Sequence, residues 1–209
     1  MSLMIMANAD LKRDLPILAI GMVGGLAIEG WGTQTELWTY YTNERPPLWI
    51  IPAWPIASLS IDRLYRLLEI AARRLPERFF RPLYWGIFPA FYALMLAFVW
   101  PTFTKTLTIL AVLLVGLLIY ALRGQRGAVL VFIAGSGLGY FLELWGTTRQ
   151  CWTYYTFETP PFFAILAHGM AAVAFWWGLS LYHRLGPKLA ARLSGLISKN
   201  KPGQRIREL

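Results

Sequence analysis

The sequence predicts an all-α integral membrane protein of six transmembrane helices, with a parallel internal duplication and both termini in the cytoplasm. Three observations predict it. The 209 residues are 56% hydrophobic and only 15% charged, far below the quarter that soluble domains carry. Apolar stretches able to cross, or nearly cross, a bilayer core recur six times. A block of 35 residues near the start is echoed near the end.

The first span, 15–32, follows Lys12 and Arg13 and so resembles the start of a signal peptide. No small-residue cleavage motif follows, and the run leads into the repeated block, so it is expected to be a retained helix. The second span, 47–63, is expected to continue along the membrane surface as an amphipathic helix. Leu64, Leu67, Leu68, Ala71 and Leu75 recur there at helical spacing, opposite Arg66, Arg73 and Arg74. Spans at 83–103, 105–122, 128–146 and 161–182 complete a single bundle over residues 1–183, leaving 184–209 as a basic cytoplasmic tail.

Orientation follows from the basic residues. Seventeen of the twenty Lys and Arg fall in the N-terminal segment, the 63–81 and 123–126 connections and the tail, while Arg45, Lys105 and Arg149 lie on the opposite side. Positive residues accumulate in the cytoplasm, and an even number of spans returns the chain to the same side. The expected location is the cell (inner) membrane, as a multi-pass protein. The net charge of +9 is explained by this topology and by attraction of the tail to anionic head groups, without nucleic acid. Ten tryptophans suit bilayer interfaces.

Residues 21–55 align with 135–169 without a gap, and sixteen of the 35 positions are identical. Gly21, Gly25 and Glu29 recur as Gly135, Gly139 and Glu143, four residues apart, and therefore occupy one helical stripe. Small residues at that interval admit a neighbouring helix, so the stripe and its glutamate should face protein. Gly32-Thr33 and Gly146-Thr147 are expected to end the helix, with glycine supplying unusual backbone angles. The aromatic words 38–42 and 152–156 follow, and Pro46-Pro47 and Pro160-Pro161 suit the first turn of the returning helix. Both loops face outward and should fold over the bundle mouth. Spans one and two thus correspond to spans five and six, related by an axis along the membrane normal.

An ionisable group inside a membrane is costly, which makes Glu29 and Glu143 the leading catalytic candidates. The ordinary reading is that each caps neighbouring polar groups. His168 stands where the first copy has Trp54, an asymmetry that one-directional chemistry requires, although a membrane histidine also serves as a packing residue. Trp31, Trp38, Tyr40, Tyr41, Trp54, Trp145, Trp152, Tyr154 and Tyr155 are the candidate substrate-binding rings. Taken singly, each also fits an interfacial aromatic belt. Asp62 and Arg63 read as a local ion pair or membrane anchor.

With two histidines and one cysteine, Cys151, neither a disulfide framework nor a metal cluster is expected. The glycines Gly135, Gly137 and Gly139 lie inside a span and read as helix packing, not as a phosphate loop. One histidine-ligated haem stays compatible with these counts, while the expected chemistry uses no metal and no cofactor. Two inward carboxyl groups, a histidine and many aromatic rings suit protonation of an isoprenoid double bond, with ring faces steadying the cation.

The order of intramembrane acid, Gly-Thr, an aromatic WxYY group and prolines resembles the polytopic carotenoid-biosynthesis membrane proteins, meaning the lycopene-cyclase-like domains and carotenoid hydratases. Glu29, Gly32, Thr33, Trp38, Tyr40 and Pro47 carry the resemblance, as do Glu143, Gly146, Thr147, Trp152, Tyr154 and Pro161. The chain lacks the paired acidic PxEE word of the cyclases. The resemblance implies a small all-helical enzyme acting on a long polyene without a redox cofactor, by cyclisation, isomerisation or hydration. Two other classes fit the same residues: a non-catalytic subunit holding a quinone, carotenoid or lipid within a membrane complex, and a small transporter, against which spans three and four break the repeat. The expected partners are an apolar lipid or isoprenoid ligand, the bilayer, and further membrane subunits.

Overall fold

The computed structural model describes residues 2–122 and 124–199. It is mostly helical (78%), about twice the share in ordinary soluble domains. A short α1 (Ser2–Ala7) precedes α2 (Leu11–Gln34), α3 (Ala53–Ala71), α4 (Glu77–Val99), α5 (Thr106–Ala121), α6 (Gln125–Thr148) and α7 (Phe162–Lys199). Two three-residue strands, β1 (Trp38–Tyr40) and β2 (Trp152–Tyr154), interrupt the helices.

Among the described residues, four helical stretches are long and apolar enough to cross a membrane: Leu11–Gln34, Glu77–Thr102, Gln125–Thr148 and Phe162–Gly186. They mark the chain as a membrane protein and occupy the first, third, fifth and sixth expected spans. At the second and fourth, α3 carries Asp62, Arg63, Arg66 and Glu69, and α5 is apolar but only 16 residues long. The helical continuation expected beyond residue 63 is present as far as Ala71, the end of α3, and Arg73, Arg74 and Leu75 form the turn into α4. Helix α7 runs on without a break into the expected tail; residues 200–209 of that tail lie outside the described residues.

Four helices form a ring. α2 packs on α3, α6 on α7, and the contacts of α3 with α6 and of α2 with α7 close it. Glycines permit these approaches: a methyl group on Gly25 would collide with the Trp54 ring, and one on Gly139 with His168. Gly21, Gly25, Glu29, Gly135, Gly139 and Glu143 are all buried, so both stripes face protein. The hairpin of α4 and α5 lies against one side of the ring, tied together by Tyr84 and Tyr92, whose hydroxyls donate to the carbonyls of Ile119 (2.6 Å) and Val112 (3.3 Å). Phe88 meets Phe132 of α6, while Phe91 and Phe98 stack on Phe163 of α7.

The Gly-Thr pairs do not end their helices. α2 runs through Gly32 and Thr33 to Gln34, and α6 through Gly146 and Thr147 to Thr148. The two threonines stay helical because their hydroxyls donate to the carbonyls of Glu29 and Glu143, each at 2.6 Å. Left-handed backbone falls on Glu36 (φ 65°), Asn43 (φ 59°), Gln150 (φ 56°) and Phe157 (φ 58°), at matching positions of the two copies and on no described glycine. The glycines serve a different end, since Gly32 and Gly146 lie under the rings of Trp38 and Trp152, where a methyl group has no room. The proline pairs also differ in use. Pro161 immediately precedes α7, whereas Pro47 opens a 3₁₀ turn, Leu48–Ile50, and α3 starts only after Pro52.

Near the start of α2, a buried ion cluster ties the ring together. The Arg63 guanidinium donates to both oxygens of Asp14 (2.7 and 2.9 Å), to Asp62 (2.9 Å) and to the Asn8 carbonyl (3.0 Å). Arg13 and Arg66 complete the coordination of Asp62 at 2.9 and 2.7 Å.

Candidate site: two carboxyl groups in one aromatic cavity

The two aromatic loops meet through β1 and β2, which pair antiparallel with Trp38 opposite Tyr154, Thr39 opposite Thr153 and Tyr40 opposite Trp152. Each strand places its tryptophan and tyrosine beneath the pair, with the intervening threonine exposed. Matched residues thus lie across from each other about the Thr39–Thr153 pair.

Beneath this lid each glutamate has three hydrogen-bond partners. Glu29 receives the Trp38 indole N–H (3.1 Å) and the Tyr40 hydroxyl (2.8 Å) on Oε2, and the Trp54 indole N–H (3.0 Å) on Oε1. Glu143 receives the Trp152 indole N–H (2.9 Å) on Oε2 and the Tyr154 hydroxyl (2.8 Å) on Oε1, where His168 Nε2 also bonds at 2.9 Å. The partners are residues nine, eleven and 25 positions downstream in both copies. Burial first, then the neighbouring carboxyl group, pushes the Tyr40 and Tyr154 phenols up from their ordinary value, which keeps both hydroxyls as donors. Three hydrogen-bonding partners around each carboxyl group offset much of the cost of burying it.

Both carboxyl groups line a single cavity of about 210 Å³. Of the sequence-predicted residues, Glu29, Glu143 and His168 are brought together there with Trp31, Trp38, Tyr40, Trp54, Trp145, Trp152 and Tyr154. Tyr41 and Tyr155 are not. Tyr41 is exposed and leans on Trp49, and Tyr155 turns away to donate to the Phe98 carbonyl at 2.6 Å. In a strand, neighbouring side chains point to opposite faces, so of each Tyr-Tyr pair only the first reaches the cavity.

Sequence reasoning missed the second-helix wall. Trp49, Ile50, Ala53 and Ala57 of the first copy, and their mates Phe163, Ala164, Ala167 and Ala171, line the cavity from the start of α3 and α7. A signal existed, since Ala53 and Ala57 are small and one turn apart on the stripe that carries Trp54. The arrangement supplies two acceptor carboxyl groups, one ionisable imidazole and aromatic faces around an apolar void, a setting suited to an uncharged ligand that passes through a cationic state. Comparison with known proteins finds no matching family model, no matching curated protein and no matching solved structure.

Proposed function

We propose that this protein is a membrane-embedded enzyme that performs acid–base chemistry on a carbon–carbon double bond of an isoprenoid or carotenoid. The observation that carries the reading is the convergence of Glu29, Glu143 and His168 on one aromatic-walled cavity. Among the six hydrogen-bond partners of the glutamates, His168 alone is an imidazole, whose two ring nitrogens can take a proton on one side and give it on the other. The pair of His168 and Glu143 is therefore the proton source. Transfer to one alkene carbon leaves a tertiary cation on the other, which the faces of the Trp and Tyr rings and the Glu29 carboxylate stabilise. The cation is quenched in one of three ways. Loss of an adjacent proton to Glu29 shifts the double bond, attack by a second double bond before that loss closes a ring, and capture of water gives a tertiary alcohol with release of one proton. The resemblance noted from the sequence supports the same class.

The reading includes a topology. Six crossings, with the termini in the cytoplasm and the pairs α2–α3 and α6–α7 related as a parallel duplication, account for the basic-residue distribution and the matched hydrogen bonds. The cell membrane is its proposed location.

The test is conversion of lycopene by the purified protein in vesicles, with products followed by chromatography and mass spectrometry. An isomer of unchanged mass is expected for cyclisation or double-bond migration, and a gain of one water for hydration. His168→Trp keeps an N–H donor in the form that the first copy already uses, and should abolish turnover while leaving thermal unfolding close to that of the parent. Turnover retained in this variant overturns the assignment. A second reading is favoured by the completeness of the Glu29 bonds: a non-catalytic subunit that holds a quinone, carotenoid or lipid. It predicts a co-extracted ligand, no conversion, and a stoichiometric membrane partner.

A further inference from the structure

The α4–α5 hairpin has no counterpart in the repeat, and it covers only one of the two matched sides of the ring. Three pairs of equivalent residues record this. Trp31 is half-buried and its indole N–H donates to Thr108 of α5 at 3.4 Å, whereas its mate Trp145 is 59% exposed. Phe163 is 9% exposed under Phe91 and Phe98 of α4, whereas its mate Trp49 is 40% exposed. Tyr155 bonds to the Phe98 carbonyl and is 36% exposed, whereas its mate Tyr41 is 69% exposed. In every pair the less exposed residue is the one beside the hairpin.

Trp49 and Trp145 line the cavity while remaining exposed, and so does Ala53, one turn from Trp49. They lie where α3 meets α6, the side related to the α2–α7 contact that the hairpin closes. We infer that the cavity exchanges its ligand sideways with the bilayer through this α3–α6 doorway alone, and that only one end group of a long apolar molecule enters.

The size argument is independent of the doorway. An engineered cavity of about 150 Å³ holds benzene, so about 210 Å³ accommodates roughly one substituted six-membered ring. A complete polyene does not fit, and its remainder stays among the lipid chains. A doorway beside Trp49 and Trp145, near the lid end of the helices, suits a molecule whose end lies close to the interface. The inference rests on the proposed reading of the cavity as a site for an apolar isoprenoid.

The experiment uses the full chain in phosphatidylcholine vesicles with two probes, β-ionone as a free end group and β-carotene as the long molecule. Binding is read by quenching of tryptophan fluorescence. Wild type should bind both, and β-ionone should displace β-carotene because each needs the same pocket. Ala53→Trp, which plugs the doorway, should weaken β-carotene binding at least tenfold, while Ile56→Ala, at an exposed α3 position that does not line the cavity, leaves it unchanged. Independently of any ligand, acyl-brominated phosphatidylcholine should lose more of its quenching in Trp145→Phe than in Trp31→Phe. If wild type binds neither probe, the apolar-ligand reading itself fails. If it binds both but Ala53→Trp has no effect, or if Trp31 is quenched as strongly as Trp145, the doorway is refuted and the reading stands. Simultaneous binding of both probes refutes the end-group claim.

Discussion

Trp54 and His168 stack on each other with ring centroids 5.6 Å apart and 19° between their planes. Each is also the hydrogen-bond partner of a different glutamate, Trp54 of Glu29 and His168 of Glu143. One stack therefore bridges the two carboxyl groups. Because the two residues occupy the same place in the repeat, it is also where the site departs from symmetry. An indole offers a single fixed donor, while an imidazole changes between donor and acceptor with its tautomer.

That difference predicts unequal costs for the same substitution. In Glu29→Gln, the new amide must turn its N–H₂ toward either Trp54 or Trp38, and neither indole can accept, so about 1–3 kcal/mol of stability should be lost. In Glu143→Gln, the amide oxygen keeps the Trp152 bond and the N–H₂ faces His168 and Tyr154, both able to accept. The loss should be smaller, within about 1 kcal/mol. Adding Trp54→His to Glu29→Gln supplies the missing acceptor and should recover much of the deficit. Thermal unfolding of the four proteins in one detergent checks the order, and equal losses for the two glutamines would contradict it.

Two glycines, two residues apart, should respond with opposite signs. A methyl group at Gly30 meets nothing within 4 Å, whereas one at Gly32 enters the Trp38 ring. Gly30→Ala should raise stability by about 0.5–1 kcal/mol through helix propensity. Gly32→Ala should lower it by about 1–3 kcal/mol through overpacking. It should also displace Trp38 from Glu29, visible as a shift in indole fluorescence.

Much of this site was legible because the sequence repeat writes its constraints twice. Glu29 and Glu143 stood out as charges in apolar helices, and their four-residue register with glycines fixed the face they present. The pairing of the two loops as strands was not legible, since a three-residue strand has too few positions to show alternation. The helix ends were misjudged for a related reason. Gly32 and Gly146 look like stop signals, but tertiary packing against Trp38 and Trp152 requires glycine there, and the helix continues. The cover over Trp31 but not Trp145 came from α5, an element outside the repeat, so no comparison of the copies could foresee it.

The Arg63 cluster separates a buried ion pair from a surface one within a single network. Arg63 and Asp14 are 2% and 9% exposed at their side chains, whereas Arg13 is 43% exposed. Removing one partner of a buried pair strands the other charge. Arg63→Met should therefore cost about 3–5 kcal/mol, chiefly through Asp14, because Asp62 retains Arg13 and Arg66. Arg13→Ala should cost about 0–1 kcal/mol. Chemical unfolding in mixed micelles at fixed pH checks the contrast. Comparable losses for the two variants would mean that Asp14 finds other solvation.

Phe157 offers the converse case, a residue whose backbone conformation suits a different side chain. It adopts φ 58° with its ring 81% exposed, and the matching position in the first copy, at φ 59°, is Asn43. Left-handed backbone crowds an L-residue's Cβ against the following carbonyl, a cost of about 1–2 kcal/mol that asparagine partly recovers through local hydrogen bonding. The exposed ring forms little packing that would be lost. Phe157→Asn should therefore stabilise the protein by about 0.5–1 kcal/mol, read as a higher midpoint in thermal unfolding, and Asn43→Phe should lower it by a similar amount. A fall in stability for Phe157→Asn would mean instead that the ring anchors the loop in the lipid interface, and that this contact outweighs the backbone conformation.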